Sequence, residues 1–159
     1  MKKLLLPLFI GLFLYQSEAS AQNYENAAGL RLGWGLGISG KHFFDDRSAV
    51  EGVLRFGGFF SSYIQFTGLY QLHQSLSDVT EGLQWYVGGG AFAGFWSGAY
   101  SRVYDYSGTQ VGISGVIGLD YKFADLPINV SADWMPGIAI VGGGGFVGSS
   151  GGLAVRYTF

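Results

Sequence analysis

From residue 22 onward, bulky apolar residues return at every second position, and the positions between them carry glycine, serine, glutamine and most of the charge. In residues 111–123, Val111, Ile113, Ile117, Leu119, Tyr121 and Phe123 share one face with Gly115, and Gly112, Ser114, Val116, Gly118, Asp120 and Lys122 take the other. Residues 128–140 repeat the plan, with Ile128, Val130, Ala132, Trp134, Pro136, Ile138 and Ile140 set against Asn129, Ser131 and Asp133. A period of two belongs to strands, whose successive side chains point to opposite faces. The same alternation runs through 48–57, 61–73, 82–97 and 150–159. These runs are about 10–14 residues, where an ordinary strand has about five or six. Tilted strands of about that length cross a hydrocarbon core.

The faces decide the class. A soluble barrel turns its large apolar residues inward. Here the face opposite the apolar one carries glycine and paired charges, which cannot fill a small core. Charged residues are only 13% of the chain, about half the share of an ordinary soluble domain, so there is too little polar surface to cover an outside. The pattern predicts an all-β, antiparallel, up-and-down transmembrane β-barrel, apolar toward lipid and polar toward its lumen. Only closure lets strands span lipid without an unsatisfied edge.

Closure constrains the strand count. Single-chain barrels of this kind have an even number of strands with both ends on the periplasmic side. Short turns fall at Asp45–Arg47, at S-L-S-D-V-T-E and at A-D-L-P (124–127), and longer loops at 97–108 and 142–149. That count gives seven strands unless residues 27–43 fold as a hairpin on G-W-G (33–35), with Leu32 opposite Leu36. The hairpin makes eight. Pro136 lacks an amide proton, so a break or bulge is expected in the seventh strand.

The chain opens on Lys2 and Lys3, the apolar run L-L-L-P-L-F-I-G-L-F-L-Y (4–15), and small residues at Ala19 and Ala21. This is the plan of a secretory signal peptide. Residues 1–21 are expected to be removed between Ala21 and Gln22, leaving a barrel domain at 22–159 with 7 basic and 10 acidic residues. Such a balance carries no nucleic-acid footprint, which would be a basic patch. With no cysteine, no disulfide framework forms.

The last strand, L-A-V-R-Y-T-F, sets Leu153, Val155, Tyr157 and Phe159 on one face. This ending resembles the C-terminal signal of outer-membrane β-barrel proteins. The segments E-N-A-A-G-L-R-L-G, G-L-D-Y-K-F, S-A-D-W-M-P and A-V-R-Y-T-F, with the leader and size, resemble the small eight-stranded barrels of the OmpA-transmembrane and OmpX type. The resemblance implies a monomer in the cell outer membrane, in contact with lipopolysaccharide and phospholipid. It also implies that periplasmic chaperones and the barrel-assembly machinery handle the chain, the latter reading Leu153, Val155, Tyr157 and Phe159. Tyr70, Trp85, Tyr121, Phe123, Tyr157 and Phe159 near the turn ends, and Phe59, Phe60, Phe95 and Trp96 near the loop ends, fit two interfacial aromatic belts.

The predicted lumen collects Arg31, Lys41, Glu51, Arg55, Asp120, Lys122, Asp133 and Arg156. Charges in a narrow barrel must be paired or hydrated, so a salt-bridge network is expected there; an ion path or small-solute channel is the sharper alternative. A lipid-modifying enzyme is a third reading, but His42 and His73 both fall beside turns, away from the outer leaflet. Ser39, three residues before His42, faces the opposite side. Asp45 and Asp46 sit in a turn, where aspartate serves the backbone. The glycine runs 88–90 and 142–145 lack the following Lys-Ser/Thr of a phosphate loop. No cofactor or metal is expected, and the function expected is structural, or surface contact through Tyr100, Arg102, Tyr104, Asp105 and Tyr106 in the 97–108 loop.

Overall fold

The computed structural model describes residues 24–33, 35–57, 62–97, 108–142, 145–147 and 151–159. They form ten strand segments: β1 (Asn26–Gly33), β2 (Gly35–Phe43), β3 (Ser48–Phe56), β4 (Ser62–Ser75), β5 (Leu83–Ser97), β6 (Thr109–Lys122), β7 (Ile128–Trp134), β8 (Gly137–Val141), β9 (Gly145–Val147) and β10 (Gly151–Thr158). Segments β7 and β8 are one barrel strand in two pieces, as are β9 and β10. Eight antiparallel strands result, each paired with its sequence neighbour. The first strand pairs with the last, from Ala27↔Thr158 to Gly33↔Gly152, and this closes the barrel.

The hairpin on G-W-G is present. Leu32 pairs with Leu36 and Gly33 with Gly35. Gly35 has φ +131°, a conformation that disfavours any side chain. The break at Pro136 is also present, and its geometry is one-sided. Across to β6 the register runs on unchanged, Ile117↔Trp134 before the break and Ser114↔Gly137 after it. The Pro136 carbonyl still accepts from the Gly115 N–H at 2.8 Å. Across to the last strand, Trp134 faces Gly151 whereas Gly137 faces Val147. The register toward the last strand thus differs by one residue on the two sides of the break. The expected loop at 142–149 is shorter than read from the sequence, because Gly145–Val147 already pairs with β8. Glycines bias a stretch toward turns but do not bar it from a sheet.

The faces fall as the alternation demands. Leu30, Leu32, Leu36 and Ile38 point outward with 49–66% of their surface exposed, and Ile64, Phe66, Ile113, Ile117, Leu119, Ile138, Ile140, Leu153 and Val155 do likewise. Inside, Arg31, Lys41, Glu51, Gln71, Gln84, Asp120, Asn129, Ser131 and Arg156 are buried. Soluble proteins almost never bury such residues while exposing a contiguous apolar band.

The inner wall is packed by aromatic rings laid on glycines of the next strand. Tyr86 lies over its register partner Gly118, and Phe92 over its partner Gly112. Two small apolar clusters complete the interior: Tyr24, Ala27, Phe43 and Ala49 at the turn end, and Leu69, Tyr86, Val116 and Met135 higher up.

Candidate functional site: the charged lumen

Every second residue of each strand points into the barrel, so groups far apart in sequence meet at its centre. Glu51 on β3 is the hub. One carboxylate oxygen accepts from Arg156 Nη2 on β10, and the other accepts from Gln71 Nε2 on β4 at 2.7 Å. Lys41 Nζ stands 3.9 Å away and Arg31 Nη1 3.6 Å away. Arg156 spends its remaining donors on Ser39 Oγ (2.8 Å), Ser131 Oγ (2.8 Å) and Asn129 Oδ1 (3.2 Å). Asp120 accepts from Lys41 Nζ at 3.0 Å and from Asn129 Nδ2. Asp133 accepts from Arg31 Nη2 on one oxygen and from the Tyr86 hydroxyl, at 2.7 Å, on the other. Lys41 Nζ also lies 4.4 Å from the Tyr86 ring centre, a cation–π contact.

Such burial is tolerable only because the carboxylates are answered on both oxygens. The Gln71 amide nitrogen is held by Glu51, so its oxygen faces His73 Nε2 at 3.2 Å. His73 stacks on Tyr86 with centroids 4.8 Å apart, and its Nδ1 lies 3.1 Å from Gln84 Oε1.

Of the eight charged residues expected in the lumen, Arg31, Lys41, Glu51, Asp120, Asp133 and Arg156 join this network. Arg55 is buried on its loop-side edge, one cross-strand row from Arg31 through Gly37. Lys122 is a correction. Its ammonium turns back onto the carbonyls of Phe123 (2.6 Å) and Leu126 (2.7 Å) and ties the A-D-L-P turn. It sits at the last strand position before that turn, where free carbonyls are nearer than any carboxylate of the hub. The sequence reading missed the neutral half of the network: Ser39, Gln71, Gln84, Tyr86, Asn129 and Ser131. Their inward parity was visible; their partners were not.

The other expected positions are placed as follows. Leu153, Val155, Tyr157 and Phe159 point outward and are exposed. His42 lies on the wall at the turn end, its Nδ1 2.9 Å from Asn26 Oδ1, on the face opposite Ser39. His73 is inside the lumen. Asp45 Oδ1 accepts from the backbone N–H groups of Arg47 and Ser48, both at 2.8 Å, and these bonds hold its carboxyl below the usual range. Ala21, Gln22, Phe59, Phe60 and the residues of the 97–108 loop named above lie outside the described residues, as does the side chain of Trp96. Among the described residues, no three His, Cys, Asp or Glu side chains stand together as metal ligands.

The arrangement is a cross-brace. Glu51, Tyr86, Gln71, Gln84, Asn129, Asp120, Ser131 and Arg156 are each almost wholly buried, so at this level side chains occupy the bore, as an eight-strand barrel's interior allows. Ser39, three residues before His42, has its oxygen engaged by a guanidinium. Comparison with family models, curated proteins and solved structures finds no match for the chain.

Proposed function

We propose that this chain is an integral β-barrel of a Gram-negative outer membrane, with a structural or surface-contact role and no catalysis. One observation carries the reading: the outside of a closed barrel is apolar and its inside is ion-paired. In water the exposed band would cost about 25 cal/mol for every Å² of apolar surface. In lipid the same band is the stabilising surface, and closure leaves no strand edge to satisfy. The leader and the outward Leu153, Val155, Tyr157 and Phe159 support export and handling by periplasmic chaperones and the assembly machinery. Lipopolysaccharide and phospholipid would then be the partners along the wall, with the barrel a monomer.

The buried brace speaks for a structural lumen over a channel, because solute would have to displace paired charges. The reading is tested by membrane fractionation, then gels of unheated and boiled samples. A heat-dependent mobility shift in the outer-membrane fraction is expected. Recovery as a soluble periplasmic protein without that shift would overturn it.

A further inference from the structure

Lys41 and Asp120 meet across the bore. Lys41 stands on β2 and Asp120 on β6, on opposite sides of the closed wall. Lys41 Nζ is 3.0 Å from Asp120 Oδ2, and both side chains are buried. An ammonium carries three donors. Among the described residues, Asp120 Oδ2 is the one acceptor that this nitrogen reaches within bonding range. Glu51 Oε2 stands back at 3.9 Å, and the Tyr86 and Phe43 rings lie 4.4 and 5.9 Å away. An amide nitrogen at the same place would carry a single donor, with Glu51 beside it to accept.

The carboxyl group is arranged to match. Its other oxygen, Oδ1, accepts from Asn129 Nδ2, and the Asn129 amide is itself fixed by Arg156 Nη1 on its Oδ1 at 3.2 Å. A fixed donor on Asp120 Oδ1 sits where negative charge gathers when the carboxyl carbon is attacked. One carboxyl group thus has an amine against one oxygen, a donor on the other, and a second carboxylate behind the amine.

We propose that Lys41 and Asp120 condense to a side-chain amide that staples β2 to β6 through the lumen. The ammonium passes one proton along its hydrogen bond to Asp120 Oδ2. The freed amine attacks Asp120 Cγ, and Asn129 holds the oxyanion on Oδ1. Glu51 takes a second proton from the nitrogen and returns it to the departing oxygen, which leaves as water. One C–N bond forms, one C–O bond breaks, and nothing is oxidised or reduced. The wall holds amine and carboxyl together, so the step is intramolecular. Burial keeps water from reversing it. The staple joins residues 79 positions apart. It draws on the lumen alone, so it stands or falls separately from the membrane assignment.

The test uses the full barrel, folded and purified in detergent. Its intact mass should be lower than that of the unlinked chain by one water. Proteolysis and tandem mass spectrometry should yield a branched peptide that joins Lys41 to Asp120. Separate linear peptides carrying Lys41 and Asp120, or a loss of water mapped to other residues, overturn the proposal. Glu51→Gln removes the base and should leave the chain unlinked. A folded Glu51→Gln barrel that is linked as fully as the wild type overturns the mechanism. If that variant does not fold, the wild-type peptide map decides.

Discussion

Tyr86 and Gly118 face each other across β5 and β6, and a Cβ at Gly118 would sit 2.8 Å from Tyr86 Cζ. On its other sides that Cβ would meet Asp133 Cβ and the Ala132 carbonyl oxygen, each at 2.6 Å. The glycine is what lets the tyrosine lie flat enough for its hydroxyl to reach Asp133 at 2.7 Å. One absent methyl therefore positions one end of the lumen network.

Gly118→Ala should consequently destabilise the barrel by about 1–3 kcal/mol, the usual cost of overpacking. Gly40→Ala is the control, since a Cβ there meets nothing within 4 Å. It should stay within about 0.5 kcal/mol of wild type. Urea unfolding of the refolded barrels, followed by tryptophan fluorescence and heat-modifiability, checks both. Equal effects from the two substitutions would mean that Tyr86 does not pack as described.

Glu51 answers three cations, so its loss should be felt well beyond one hydrogen bond. Removing one partner of a buried ion pair costs about 3–5 kcal/mol, because the other charge stays buried. Glu51→Ala should show that loss. A paired Glu51→Met, Arg156→Met change should recover much of it, since the double variant leaves neither charge of that pair behind. The double-mutant cycle reports the coupling. Purely additive losses would dismiss Glu51 as the hub.

Lys41 and Lys122 separate two kinds of lysine that alternation cannot tell apart. Both occupy inward positions on their strands. Lys41 is buried between Asp120 and the Tyr86 ring, whereas Lys122 reaches turn carbonyls at the barrel's end. Lys41→Met should leave Asp120 undercompensated and cost about 3–5 kcal/mol. Lys122→Met should cost about 1 kcal/mol or less, in the range of exposed charge contacts. The urea midpoints of the two variants decide it, and a reversed order would return Lys122 to the lumen network.

These lysines mark where legibility ended. Strand count, the hairpin at residues 33–35 and the faces of the described strands follow from a period of two and the demand for closure, and the break at Pro136 from its missing amide proton. Those are local or topological constraints, and one sequence carries them. Partner choice inside the bore depends on stagger between strands distant in the chain, as when β1 meets β10 and brings Arg31 within reach of Asp133. Alternation is indifferent to that stagger. It placed Gln71, Asn129 and Ser131 inward without saying that Arg156, Glu51 and Asp120 would need their amides and hydroxyls. The inward aromatics of β5 opposite the inward glycines of β6 were a readable signal once the register of that hairpin was written out.

The outer face offers the sharpest separation between a lipid-facing and a water-facing barrel. Ile38 points outward from the middle of β2, between Leu30 and Leu54 in register, and is 49% exposed. In water, arginine at an exposed strand position is nearly harmless and improves solubility. In a bilayer it should cost about 2–4 kcal/mol near the midplane and less toward either interface. Ile38→Arg is therefore expected to lower the unfolding free energy of vesicle-inserted barrel by an amount in that range. Substituting Asn26, at the turn end of the neighbouring strand, should cost far less. Folding into vesicles of defined thickness, titrated with urea, gives both values. A variant as stable as wild type in vesicles, or one that improves recovery without detergent, would mean that the apolar wall does not face lipid.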